Sequence, residues 1–302
     1  MVEHITGLVA APFSPLSADG SVNLKVIKPY AEFLHRNGVV GVFVNGTSGE
    51  GLSLTVEERK AIAQQWVQDA PKGLKVIVHV GHTGLEDSKV LASHAQEIGA
   101  YAVATIGPVY FKPRTVGELV DHSALIASAA PKLPFYYYHI PSLTGLNFNM
   151  RDYLKDADAR IPNLAGIKFT FENMMDMELC RLFKNKKFDM LAGRDEMLLC
   201  GLVLGAKGAV GSTYNFAAPL YNEMIAAFNA GDIPKAQALQ RKSMELIDTI
   251  LGFKEFFASC KAILRTQGID LGIVRCPLVN LSPTEEQHRS EEHTSELQSP
   301  NT

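Results

Sequence analysis

Short apolar runs and longer amphipathic stretches alternate along this chain. Eight runs rich in β-branched, aromatic or small apolar residues occupy positions 5–12, 42–45, 76–80, 101–106, 135–140, 164–170, 188–192 and 209–212, with starts 21 to 37 residues apart. Near-continuous apolar character over such short spans predicts strands covered on both faces, as in a parallel sheet. The intervening segments have a helical period. After Thr55, for instance, Ile62, Ala63, Trp66 and Val67 fall on one face. Thr55-Val-Glu-Glu58 and Thr115-Val-Gly-Glu118 both have the spacing of a capping box, in which hydroxyl and carboxylate each satisfy a free backbone N–H.

Eight strand–helix units can open into a doubly wound sheet or close on themselves. An open dinucleotide-binding sheet would carry GxGxxG after its first strand, and this chain does not. Even spacing favours closure, so the expected fold is α/β, a (β/α)8 TIM barrel over residues 1–229. Residues 230–287 read as a C-terminal helical extension packed on the barrel, since no Pro/Ser/Gly-rich linker intervenes. Residues 288–302 have neither period nor apolar content beyond Leu297 and read as a non-native, disordered tail.

Composition narrows the partners. With 29 Lys+Arg against 32 Asp+Glu and 46% hydrophobic residues, the 302-residue chain is too apolar for disorder. It is also too evenly charged for a nucleic-acid or anionic-membrane footprint. No apolar run approaches the ~18 residues of a spanning helix, and the first residues lack a signal-peptide pattern. The four cysteines show no CxxC, which fits buried thiols in a reducing compartment. The expectation is a soluble cytoplasmic protein.

In a barrel of this kind chemistry gathers at the C-terminal strand ends. The second strand runs into Asn45-Gly-Thr-Ser-Gly-Glu-Gly51. Its glycines allow close backbone approach, and successive N–H groups with the Thr47 and Ser48 hydroxyls form a small anion nest suited to a carboxylate. A tight turn without a ligand is the plain alternative. The sixth strand, Leu164-Ala-Gly-Ile-Lys-Phe-Thr170, puts Lys168 and Thr170 on one face by alternation. With Ile167 and Phe169 facing the helices, Lys168 points inward, where desolvation favours a neutral amine that attacks carbonyls. A rim lysine paired with a carboxylate is the alternative. On the fifth strand Tyr138 is the inward phenol nearest the C-terminal end, able to relay a proton or merely to pack. The seventh and eighth strands end in Gly193-Arg-Asp-Glu196 and Gly211-Ser-Thr-Tyr-Asn215. Asp195 and Glu196 would repel a phosphate, but with Ser212 they suit a polyhydroxyl guest; Asp195 could equally cap a helix. His79 and His82 lack a third ligand in register, so no metal site is expected.

Taken together, Gly41-Val-Phe-Val-Asn-Gly-Thr-Ser-Gly-Glu50, Tyr138-x-x-Pro141-x-x-Thr144-Gly145 and Gly166-Ile-Lys168 resemble the dihydrodipicolinate synthase / N-acetylneuraminate lyase family of pyruvate-dependent class I aldolases. The resemblance spans residues 5–281. It implies a Schiff base between Lys168 and a 2-oxo acid, proton relay by Tyr138 with Thr47 and with a Tyr110 supplied by a neighbouring subunit, and carboxylate binding at Thr47 and Ser48. Thr170, Gly193, Asp195, Glu196 and Ser212 would contact a hydroxylated tail. No cofactor is implied, because the lysine is the electron sink, and family members are usually homotetramers. Members acting on a semialdehyde usually carry an Arg just after the Tyr-x-x-Pro segment, where Ser142, Leu143 and Thr144 stand here. The branch that cleaves a sialic acid to pyruvate therefore fits better than another aldolase, hydratase or synthase of the family. A catalytically silent ligand-binding barrel is the reading from a different functional class. His139 stands where many members have Asn, and Arg194 where Tyr is common.

Overall fold

The computed structural model describes residues 3–253 and 255–282. Eight parallel strands, β1 (Gly7–Ala10), β2 (Val39–Val44), β3 (Lys75–His79), β4 (Ala102–Ile106), β5 (Phe135–His139), β6 (Leu164–Phe169), β7 (Asp189–Ala192) and β8 (Gly208–Gly211), close into a barrel in chain order. The closing pair is β1 with β8, where Leu8 lies opposite Ala209 and Ala10 opposite Gly211. The expected (β/α)8 fold is the observed one. β2 begins three residues earlier than its sequence pattern suggested, because Val39 pairs with Leu8 of β1.

The helices are α1 (Ile27–Arg36), α2 (Val56–Asp69), α3 (Leu85–Glu97), α4 (Val116–Ala127), the single turn α5 (Pro141–Thr144), α6 (Met150–Arg160), α7 (Met174–Leu182), α8 (Leu198–Val203), α9 (Tyr214–Asn229), α10 (Ile233–Gly252) and α11 (Phe256–Thr266). Period-2 strands and period-3.6 helices split the apolar residues into two cores. Val9, Phe43, Ile77, Ala104, Tyr136, Tyr138, Leu191 and Val210 fill the barrel interior. Ile27, Leu34, Ile62, Trp66, Leu91, Val103, Phe135 and Ile167 seal strands against helices.

Helix starts show where local motifs succeed and where neighbours compete. At α2 the box is complete: Glu58 N donates to Thr55 Oγ1 (3.2 Å) and Thr55 N to Glu58 Oε2 (2.8 Å). At α4 only half forms. Thr115 accepts from Glu118 N, but the Glu118 carboxylate takes its hydrogen bond from Arg114 N at 2.6 Å, one residue upstream. α9 starts at Tyr214, before the stretch near Pro219 that the sequence marked as helical, and bends at Ala217.

α10 and α11 form the region after the eighth unit, and side chains tie it to the barrel. Gln240 of α10 accepts from Leu199 N (2.8 Å) and donates to Asp195 O (3.2 Å). Lys261 of α11 is ion-paired to Glu50 of the β2–α2 loop at 3.1 Å. Among the described residues no helix is long and apolar enough to cross a membrane. The segment 288–302, read as a foreign tail, lies outside the described residues.

Candidate active site

Lys168 and Tyr138 are direct neighbours across the β5–β6 ladder, both side chains turned into the barrel. The Lys168 Nζ sits 3.9 Å from the Tyr138 ring centroid and 4.2 Å from that of Phe43. Lys168 is 4% exposed, and among the described residues it is held by these ring faces and no ion pair. With no ion-pair partner across it, the Nζ is open to approach by a carbonyl carbon. Phe43, the second ring, had not been singled out in the sequence, although strand alternation aims it inward.

The Tyr138 hydroxyl meets Thr47 Oγ1 at 3.3 Å, and Ser48 Oγ meets Ser212 Oγ at 2.6 Å. The turn carrying Thr47 and Ser48 depends on unusual backbone: Asn45 (φ 59°) and Glu50 (φ 53°) are both left-handed. Such conformations persist only where surroundings enforce them. Here the Asn45 side chain donates to Arg59 O (2.9 Å), and Ser14 Oγ donates to Gly49 O (2.6 Å). Glu50, in the same turn, spends its carboxylate on neighbours outside the cavity. One carboxylate oxygen pairs with Lys261 while the other accepts from Arg275 N at 2.7 Å. Burial pushes the Lys261 ammonium down, opposed by the charge of Glu50. A lysine inside the apolar run Ala258-Ser-Cys-Lys-Ala-Ile-Leu264 signals a buried cation in need of a partner, though not which partner.

His79, weighed as a metal ligand, is occupied by backbone. Its Nδ1–H donates to Asn45 O (3.0 Å) and its Nε2 accepts from Ile106 N (3.3 Å), which defines a neutral tautomer. Burial, with the Arg59 cation beside it, holds the imidazole well below its ordinary value. His82 pairs with Asp87, and no group of three metal-ligating side chains occurs among the described residues.

On the far side, two glycines let polar groups come close. A Cβ at Gly193 would lie 2.0 Å from Thr170 Oγ1, and one at Gly211 would lie 1.7 Å from Asp195 Oδ1. Both of those oxygens are buried without a hydrogen-bond partner among the described residues. Asp195 Oδ2 is taken, by Thr213 N (2.9 Å) and Thr213 Oγ1 (2.6 Å). Burial pushes the Asp195 carboxyl up to about 6 against these donors. Asp195 thus caps the start of α9 with one oxygen and leaves the other unclaimed. An unpaired buried polar atom is costly, and hydroxyls of a guest would satisfy both this oxygen and that of Thr170.

These groups surround one cavity of about 220 Å³, lined by Thr47, Ser48, Tyr138, Lys168, Thr170, Gly193, Arg194, Asp195, Glu196 and Ser212. Ile247, Leu251, Phe256 and Phe257 of α10 and α11 supply an apolar wall that the sequence reading had not connected with the site. A more open cleft of about 410 Å³, around Leu74 and Tyr101 at the N-terminal ends of the strands, holds none of these residues. Tyr110 is not brought to the cavity. It stands 78% exposed on the β4–α4 loop, edge-on to the 87% exposed Phe111. A lysine amine, a phenol, the Thr47 and Ser48 hydroxyls and unpaired polar oxygens around one cavity are parts suited to an amine-catalysed carbon–carbon cleavage.

Comparison with known proteins agrees with that chemistry. The sequence matches the dihydrodipicolinate synthetase family over residues 4–296. The chain belongs to this family. Relatives include N-acetylneuraminate lyase A of Xenopus laevis, 43% identical over 279 residues that make up 91% of each protein. The N-acetylneuraminate lyase of Rattus norvegicus is 41% identical, over 91% of this chain and 88% of the rat protein. Among solved structures, the N-acetylneuraminate lyase of Proteus mirabilis superposes with a TM-score of 0.94 at 39% identity, covering 97% of this chain and 99% of that one. A membership shared at this identity and coverage makes the chain an enzyme of the aldolase type, on the barrel already described.

Proposed function

We propose that this family member is a class I aldolase that cleaves N-acetylneuraminate reversibly to N-acetylmannosamine and pyruvate. The observation that carries the reading is the Lys168 amine, buried against the Tyr138 and Phe43 rings beside the Thr47–Ser48 turn. The names of the relatives support the substrate. So does a cavity that joins the Thr47–Ser48 turn to the unpaired oxygens of Thr170 and Asp195.

In this mechanism the Thr47 and Ser48 hydroxyls and nearby N–H groups hold the substrate carboxylate. Lys168 adds to the C2 carbonyl and loses water to form an iminium. Tyr138, aided by Thr47, takes the proton from the C4 hydroxyl as the C3–C4 bond breaks. The electron pair of that bond moves into the iminium to give an enamine, and the aldehyde product leaves. Protonation at C3 and hydrolysis release pyruvate and restore the amine. Thr170, Gly193, Asp195, Glu196 and Ser212 face the hydroxylated tail. No metal or cofactor enters these steps. The proposed assembly is a homotetramer in the cytoplasm, with Tyr110 entering a neighbour's site, a role its exposure permits.

The test is borohydride reduction in the presence of pyruvate, followed by peptide mass analysis, alongside pyruvate release from N-acetylneuraminate. A pyruvyl adduct on Lys168, lost in Lys168→Ala together with turnover, is the expected result. Absence of any adduct on Lys168 would falsify the mechanism. An adduct without pyruvate release from any sialic acid would replace the substrate only.

A further inference from the structure

Arg194 occupies the lip of the cavity and belongs to none of the roles above. Its Nη2 pairs with Glu172 Oε1 on the loop after β6, and its Nη1 reaches Glu196 Oε1, on its own loop, at 3.5 Å. The guanidinium therefore joins two loops that both border the tail end of the cavity. Its third donor is different. The Arg194 Nε is buried and has no hydrogen-bond partner among the described residues, in a side chain that is 29% exposed.

A surface clamp would need only the two Nη contacts. A desolvated N–H with nothing to donate to is costly, and an oxygen of a bound molecule would satisfy it. The rest of this end is rich in acceptors: Asp195 Oδ1 is unpaired and the Glu196 carboxylate can only accept when ionised. Carboxylates read only the O–H of a polyol; beyond the Thr170 and Ser212 hydroxyls, the guanidinium is the charged donor at this end that can read its oxygen lone pairs. Adjacent hydroxyls both donate and accept, so a guanidinium beside carboxylates completes recognition of a hydroxylated chain.

Building on the aldolase reading, we propose that Arg194 is a specificity-determining residue that selects sugar acids with a long hydroxylated tail. Its two Nη groups hold Glu196 and the β6 loop in place, and its Nε–H donates to a tail oxygen. Pyruvate, which lacks the tail, is bound without it.

The condensation direction separates these claims. With pyruvate and N-acetylmannosamine as substrates, Arg194→Met should raise the KM for the amino sugar about tenfold or more, as loss of a charge-assisted hydrogen bond does. The KM for pyruvate should stay within about twofold, since one end of the cavity is untouched. Arg194→Lys keeps a cation between the glutamates but has no Nε–H in the guanidinium position, so its amino-sugar KM should remain raised. Full recovery in the lysine variant would reduce Arg194 to charge balance and overturn the proposal. Equal changes in both KM values, or none in either, would overturn it too. If the unmodified enzyme traps pyruvate on Lys168 yet forms no product with N-acetylmannosamine, the substrate reading fails and the proposal falls with it. If it does form product, only the Arg194 variants decide.

Discussion

The Tyr138 phenol performs two tasks that a single atom separates. Its ring supports the Lys168 amine at 3.9 Å, while its hydroxyl touches Thr47 at 3.3 Å. Tyr138→Phe keeps the ring, so pyruvate should still be trapped on Lys168. Turnover of N-acetylneuraminate should fall by roughly 10²–10⁴-fold, the usual worth of a positioned proton-transfer group. Trapping and steady-state rates measured on one preparation would check this, and an unchanged rate would exclude Tyr138 as the relay. His139, next along β5, points the other way, into an apolar cage of Tyr137, Phe169 and Phe171. Neither ring nitrogen has a partner among the described residues, and burial pushes its imidazole down to about 4 from 6.5. Between those values the unfolded chain binds a proton that the folded chain refuses, so His139 makes stability fall as pH drops from 6.5 toward 4. At pH 5 the loss is about 2 kcal/mol. His139→Leu should therefore raise stability by about 1 kcal/mol at pH 7.5, by removing an unpaired N–H, and by clearly more at pH 5. Urea denaturation at the two pH values reads the difference.

At the scale of elements, the catalytic turn after β2 is held from outside the barrel. Glu50 adopts a left-handed conformation, and its carboxylate meets Lys261 of α11, with both side chains 1% exposed. Lys261 also donates to Ser14 O at 2.8 Å, so one ammonium gathers the β1 loop, the β2 loop and α11. Removing one partner leaves an uncompensated buried charge. Glu50→Gln or Lys261→Met alone should cost about 3–5 kcal/mol, and the double variant well under the sum. Denaturant midpoints on the four proteins would complete the cycle; additive losses would show that the two groups do not act as a pair. The first of these variants should also raise the KM for pyruvate, because Thr47 and Ser48 ride on the same turn. Local sequence motifs were a fair guide to elements but not to their contacts. The box at α2 closes as its spacing demands, whereas the equal spacing at α4 is overruled by Arg114 N, which lies within reach of the same carboxylate.

For the whole molecule, the decisive question is whether one chain holds a complete site. Tyr110 and Phe111 stand exposed on the β4–α4 loop, away from their own cavity. If Tyr110 serves a neighbour, Tyr110→Ala and Lys168→Ala should each be inactive or nearly so. Hybrids formed by refolding them together should regain activity, because an intact Lys168 site then receives an intact Tyr110. No recovery in hybrids shown to contain both chains would confine catalysis to single subunits. The period of the apolar residues determined eight strands buried on both faces, and their even spacing favoured closure over an open sheet, which the pairing of β1 with β8 then decided. It also put Lys168, Tyr138 and Thr170 on inward faces, because strand alternation is a local property. Family motifs then named their chemistry. Other facts lay beyond any local pattern: the ring faces of Phe43 and Tyr138 around the amine, the divided carboxylate of Asp195, the Glu50–Lys261 pair, the apolar wall from α10 and α11, and Arg194 between two glutamates. Each depends on side chains far apart in the chain meeting in a desolvated place. Burial there sets protonation and partners, and only closure of the barrel creates it.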